Sequence, residues 1–266
     1  MTIRTSRKRS SPKNKSFDSY EEANYKETYR RKSSKSFEDK THFHLNEISP
    51  ITENQKRTFD LFDDGDDLLL YGTAGTGKTF ISIYLALEKI MKGHSDYEKI
   101  VIIRSVVPTR DMGFLPGNAK EKALVYEAPY TAICTELLNR GDAYELLKKK
   151  NTIEFMTSSF VRGITLRNCI VIVDEFQNMV DEELHSIITR VGENCRIIFS
   201  GDCKQNDLKK ETTGFYKFLQ ILKMMNNFGI IEFNIDDIVR SALVKDYIIK
   251  REIYETKEIH SHSMGT

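Results

Sequence analysis

No uninterrupted apolar run in the 266 residues approaches the ~18 needed to carry a helix across a bilayer, which excludes a membrane-spanning helix. The basic opening, Met1 to Arg9, is not followed by an apolar stretch, so no secretory signal is read there. The four cysteines (Cys134, Cys169, Cys195 and Cys203) form no C-x-x-C pair and no zinc-ligand spacing. A disulfide framework and a zinc module are therefore not expected. The thiols read as reduced, in a cytoplasmic compartment, with Cys169 and Cys195 opening buried strands. Internal repeats are also missing. What is present, 39% apolar and 30% charged residues, suits a soluble globular protein of one generous domain or two small ones.

The net charge of +1 hides an asymmetry: residues 1–35 hold 11 Lys/Arg against 4 Asp/Glu, and the remainder 29 against 35. That first stretch is Ser-rich and nearly without aliphatics, so it cannot bury enough surface to offset its chain entropy. Residues 1–40 are expected to be a disordered basic tail, with a transient helix around Tyr20 to Lys32. Such an arm, with tyrosines interspersed, could hold a nucleic-acid backbone by counterion release. A solubilising extension without a ligand fits it equally well.

Beyond the tail, strand and helix patterns alternate. A polar helix (Glu53 to Phe62) leads through Asp63-Asp64-Gly65-Asp66 into the strand Leu68 to Tyr71, and a helix then runs to about Met91. A strand at Ile100 to Arg104 precedes a long helical region, about Ala119 to Lys150, with an interruption expected near Pro129. Ile153 to Met156 reads as a further strand. Cys169 to Val173 and Arg196 to Phe199 are continuous apolar runs, the pattern of strands buried on both faces. Helices are expected at about 182–190 and 213–224, then a last strand (Ile231 to Ile235) and a final helix (about Ser241 to Tyr254). This order predicts right-handed βαβ crossovers and an α/β fold with a three-layer core and a mostly parallel sheet. The domain spans about 41–256, with 257–266 as a flexible tail.

Gly72-Thr73-Ala74-Gly75-Thr76-Gly77-Lys78-Thr79 matches the phosphate-binding loop G-x-x-x-x-G-K-[ST] in full, between a strand and a helix as its physics requires. The glycines let successive N–H groups point at phosphate oxygens, and the helix N-terminus adds its dipole. Lys78 would reach the β- and γ-phosphates of ATP, and the Thr79 hydroxyl would complete a Mg²⁺ shell. Ligands of such folds sit beyond the carboxyl ends of the strands. There Val173 is followed by Asp174, expected to hold the metal, and Glu175, expected to activate the attacking water. Both could instead cap the next helix. The next strand ends in Ser200-Gly201-Asp202-Cys203-Lys204-Gln205. Gly201 is read as allowing close approach to the nucleotide, and Gln205 as bonding the γ-phosphate and the attacking water. Gln55 offers the donor and acceptor that complement an adenine edge. Arg240 follows the last strand and reads as an arginine finger, or as a surface arginine paired with Asp236 or Asp237.

Taken together, these segments resemble the PhoH family of P-loop ATPases, related to superfamily 1 helicases, and especially its compact phage-carried members. The likeness rests on the phosphate loop, Arg104, Gly113-Phe114-Leu115-Pro116-Gly117, Arg162-Gly163-Ile164-Thr165-Leu166, Asp174-Glu175-Phe176-Gln177-Asn178, Gly201-Asp202 with Gln205 and Asp207, and Asp237-Ile238-Val239-Arg240. The resemblance implies a RecA-like core, ATP binding and hydrolysis with Mg²⁺, and RNA or single-stranded nucleic acid as partner. It places the protein in the cytoplasm, the host's if phage-encoded. Phe176 stands where alanine is usual, and Ser241 where histidine is common. No room is expected for the PIN-type domain of nuclease-fused members. Because only one RecA-like core fits, a homo-oligomer, closing into a ring, is expected to lend Arg240 from a neighbouring copy. The competing reading is an ATP-dependent regulatory switch acting on a protein, with little hydrolysis. A small-molecule kinase is weaker, because no arginine-rich lid follows the loop.

Overall fold

Each continuous aliphatic run forms a strand whose two faces are covered. In the computed structural model the described residues are 43–93, 96–105, 119–202 and 214–263, with backbone alone for 119–123 and 255–263. The basic tail, the Gly113–Gly117 segment, Cys203, Gln205 and Asp207 lie outside them. The strands are β1 (Asp67–Gly72), β2 (Lys99–Arg104), β3 (Ile153–Thr157), β4 (Cys169–Asp174), β5 (Cys195–Gly201) and β6 (Phe228–Phe233). They form one sheet in the order β3-β2-β4-β5-β1-β6, and every pairing is parallel. Helices α1 (Glu53–Asp64), α2 (Lys78–Met91), α3 (Ala119–Leu138), α4 (Ala143–Lys149), α5 (Asp181–Ile188), α6 (Phe215–Leu222) and α7 (Ala242–Ser263) accompany them. This is the expected three-layer RecA-like α/β core.

Alternation along the strands sorts side chains to the two faces. Leu69, Val101, Ile103, Val171, Val173, Ile197 and Phe199 join α5 and α6 in one apolar cluster. The intervening Leu68, Leu70, Ile100, Ile102, Ile170, Ile172 and Ile198 are fully buried as well, on the face where α2 packs across β2, β4 and β5. The register levels the carboxyl ends: Arg104 pairs with Asp174, Asp174 with Ser200, and Tyr71 with Gly201. Residues far apart in sequence thereby come to one edge.

Three boundaries differ from those expected. Pro129 lies inside α3, which passes through it unbroken; the break falls after Leu138, where Asn139 adopts φ 50°. A proline costs a helix interior about 3 kcal/mol, but here the turns after it bury Tyr130, Cys134 and Leu137 completely. A left-handed asparagine ends the helix where the proline does not. The last strand starts at Phe228 and stops at Phe233, because Asn234 turns its side chain onto the Asp236 N–H and starts a short 3-10 turn. The final helix runs on to Ser263, across residues expected to be flexible. No glycine or proline occurs between Ser241 and Gly265 to end it.

Cys169 and Cys195 do open β4 and β5, with their sulfurs 3.5 Å apart as free thiols. Among the described residues, no helix is long and apolar enough to cross a membrane.

Candidate active site

The phosphate loop bridges the end of β1 and the start of α2. Gly75 and Gly77 take φ 74° and 84°, which curls the chain and sets Gly77 as the cap of α2. Gly72 meets a different demand: a Cβ there would lie 2.0 Å from the Phe233 carbonyl oxygen on β6. The Thr73 N–H donates to that same carbonyl at 2.9 Å, fastening the loop to the neighbouring strand. Thr76 donates its hydroxyl to the Thr73 carbonyl at 3.1 Å. Ala74 is half-buried between them.

Lys78 is buried, and its ammonium donates to the Gly72 carbonyl at 3.1 Å, the Thr73 carbonyl at 2.7 Å and Thr76 Oγ1 at 3.3 Å. The charge is held inside the loop, where a phosphate oxygen could exchange with these carbonyls. Thr79 Oγ1 donates to Asp174 Oδ1 at 2.8 Å and lies 3.4 Å from Ser200 Oγ. The two residues expected to share a metal, 95 positions apart, are therefore in direct contact. Among the described residues, no group of three or more His, Cys, Asp or Glu side chains could hold a metal. One hydroxyl and one carboxylate suit instead a hard cation that arrives with phosphates and keeps waters.

Glu175 sits in an unusual backbone state. Among the described residues, the non-glycine positions with positive φ are five asparagines and Glu175, at φ 52°. A glutamate gains nothing locally there, and such conformations cluster at functional sites. Burial pushes its carboxyl above the ordinary range, and the neighbouring Asp174 charge adds to that; Arg104, Gln177 and Lys78 pull it back. Gln177 donates through Nε2 to Glu175 Oε2 at 2.5 Å and accepts through Oε1 from the Asp202 N–H at 3.0 Å. It fixes the glutamate to the end of β5.

That bridge changes the reading of Gly201. A Cβ at Gly201 would fall 2.2 Å from Gln177 Oε1 and 2.8 Å from the Phe176 ring, so the glycine makes room for the Glu175 turn rather than for a ligand. Phe176, the departure from alanine, is 1% exposed and packs against Phe199 and Phe215, with ring centroids 5.9 Å and 5.6 Å away. It fills the core below the site.

Two expected contacts are placed differently. The Gln55 amide is 4% exposed and turned inward: Oε1 accepts the Ile51 N–H at 2.8 Å, and Nε2 donates to the Thr76 carbonyl at 3.1 Å. It splints α1 to the phosphate loop rather than presenting an edge to a base. Arg240 lies against its own chain's loop, since a Cβ built on Gly75 would be 3.0 Å from Arg240 Cγ and 3.7 Å from its Nε. The Val239 N–H donates to the Gly75 carbonyl at 3.1 Å and holds the segment there. The Asp237 carboxylate is taken by Asn54 Nδ2 at 2.7 Å and by the Asn234 N–H at 2.9 Å. Along α7, Glu252 accepts a hydrogen bond from Thr73 Oγ1 at 3.1 Å, so the final helix also touches the loop.

Protein PhoH of Escherichia coli K12 is 35% identical over 175 residues, 65% of this chain and 49% of that protein. The PhoH-like protein of Bacillus subtilis 168 is 34% identical over 179 residues, 66% of this chain and 55% of that one. The chain thus spans about half the length of these curated relatives. The large terminase of a thermophilic bacteriophage has a TM-score of 0.45 at 14% identity, over 75% of this chain and 50% of that one, too distant to bear on function. The model of the PhoH-like protein family matches residues 47–253, and the chain belongs to that family.

Proposed function

We propose that this protein is a Mg²⁺-dependent ATPase whose turnover acts on, or is regulated by, RNA or another single-stranded nucleic acid. The observation that carries the ATPase reading is the meeting of Thr79 with Asp174 beside the buried Lys78 and the left-handed Glu175. Lys78 would move from the loop carbonyls to the β- and γ-phosphates, trading neutral acceptors for charged ones. Thr79 and Asp174 would hold magnesium, which screens the phosphate charge when bound. Glu175, raised by burial and steadied by Gln177, would accept the proton of the attacking water. Gln205 is proposed to orient that water. Gln55 would support the loop, and Arg240 would stabilise charge on the transferring phosphoryl group.

The basic stretch over residues 1–35, with 11 Lys/Arg against 4 Asp/Glu, supports nucleic acid over a protein partner. The deciding assay is ATP turnover with single-stranded RNA, single-stranded DNA or neither. Stimulation by RNA is the expected result. Turnover indifferent to both would leave the regulatory switch as the better reading.

The basic tail is proposed to supply part of the nucleic-acid contact. Deleting residues 1–36 should weaken RNA binding and flatten its salt dependence, the slope of log K against log salt changing by about 0.7 per lost phosphate contact. ATP turnover without RNA should stay as it was. An unaltered slope would make the tail a solubilising extension.

A further inference from the structure

Asp174 is held from two sides, and only one of them belongs to the phosphate loop. While Thr79 donates to Oδ1 at 2.8 Å, the Tyr130 hydroxyl donates to Oδ2 at 2.9 Å. Tyr130 comes from α3, is 0% exposed, and packs its ring on Phe155 with centroids 5.9 Å apart. Its hydroxyl is in turn hydrogen-bonded to the Arg104 side chain at the end of β2, the residue level with Asp174 across the sheet. Arg104, Tyr130, Asp174 and Thr79 thus form one chain of hydrogen bonds reaching from β2 to α2.

A carboxylate at a strand end can rotate about its side-chain bonds, and a rotated one offers a metal the wrong lone pairs. Donors on both oxygens remove that freedom. We infer that Tyr130 is a positioning residue for the divalent metal: its hydroxyl, anchored by Arg104, fixes the plane of the Asp174 carboxylate so that Oδ1 faces Thr79 and the phosphate loop. The inference rests on the ATPase reading above. It adds a residue from α3, a helix with no part in the phosphate loop or the acidic pair.

The test is Tyr130→Phe in the full chain, which keeps the ring and removes one oxygen. A fluorescent ADP analogue is titrated in EDTA and then across a magnesium series. Expected is an unchanged affinity in EDTA and a magnesium midpoint raised about 10-fold or more, the usual cost of removing an outer-shell partner of a metal ligand. In a chain already carrying Asp174→Asn, the same change should add nothing. An unmoved midpoint overturns the inference. So does an equal loss of affinity in EDTA, which would make Tyr130 a packing residue. Wild-type binding without any magnesium enhancement would instead remove the parent reading of the site, and this inference with it.

Discussion

Lys78→Ala should abolish ATP turnover and weaken triphosphate binding, whereas Glu175→Gln should leave binding intact and slow hydrolysis by about 10²-fold or more. The separation follows from where the two charges sit. Lys78 is inside the loop, donating to the Gly72 and Thr73 carbonyls. Its loss removes attraction for the bound triphosphate and for the transition state alike. Glu175 is outside the loop, clamped by Gln177. Glutamine keeps its size but cannot take a proton. The pH profile adds a second signature. Burial raises the Glu175 carboxyl, so the active, deprotonated form is lost at a higher pH than for an ordinary carboxylate. Turnover should fall as pH drops through that raised value, and the Gln variant should lack this acid limb. Equal turnover in wild type and Glu175→Gln would withdraw the base assignment. Melting curves control for Lys78→Ala, because two carbonyls lose a donor.

The parts of this molecule that are legible from the chain alone are the parts encoded locally. A strand buried on both faces needs apolar residues at every position, so Cys169 to Val173 declares itself without reference to any partner. The phosphate loop is equally local, since its glycines, lysine and threonine act within eight consecutive residues. Groups that meet only through the fold carry no such signal. Tyr130 sits in mid-helix beside a proline, and nothing nearby in sequence marks it as a partner of Asp174, 44 residues on. The purpose of Gly201 depends on the Gln177 amide reaching across from the β4 turn. Gln55 stands out by its position before the loop, but its amide faces the loop backbone, because the start of α1 is held down by Asn54 on Glu232 and Asp237. Pro129 misleads because propensity counts one residue, while the helix around it is held by burial.

Arg240→Ala should cost about 10³-fold or more in turnover, the usual weight of an arginine finger, and the question is whose phosphates it serves. The sequence alone suggests a neighbouring copy in a ring. The structure lays the residue on its own loop, its stem at Gly75 and the preceding Val239 N–H bonded to the Gly75 carbonyl. A finger serving another subunit has to project away from its own nucleotide; this one is exposed yet lies along the loop that would hold it. This placement supports action within one chain as the expectation. Mixing two inactive variants, Lys78→Ala and Arg240→Ala, separates the cases. In the mixture every chain lacks either its own loop lysine or its own finger, so within-chain action predicts that activity stays absent at every ratio. Partial recovery that rises toward an equal mixture would mean an intact loop had borrowed an intact arginine from its neighbour. The segment from Val239 to α7 would then have to leave its own phosphate loop on assembly, breaking the Gly75 contact. Light scattering on the same mixtures, with nucleotide present, would show whether the recovery tracks oligomer formation.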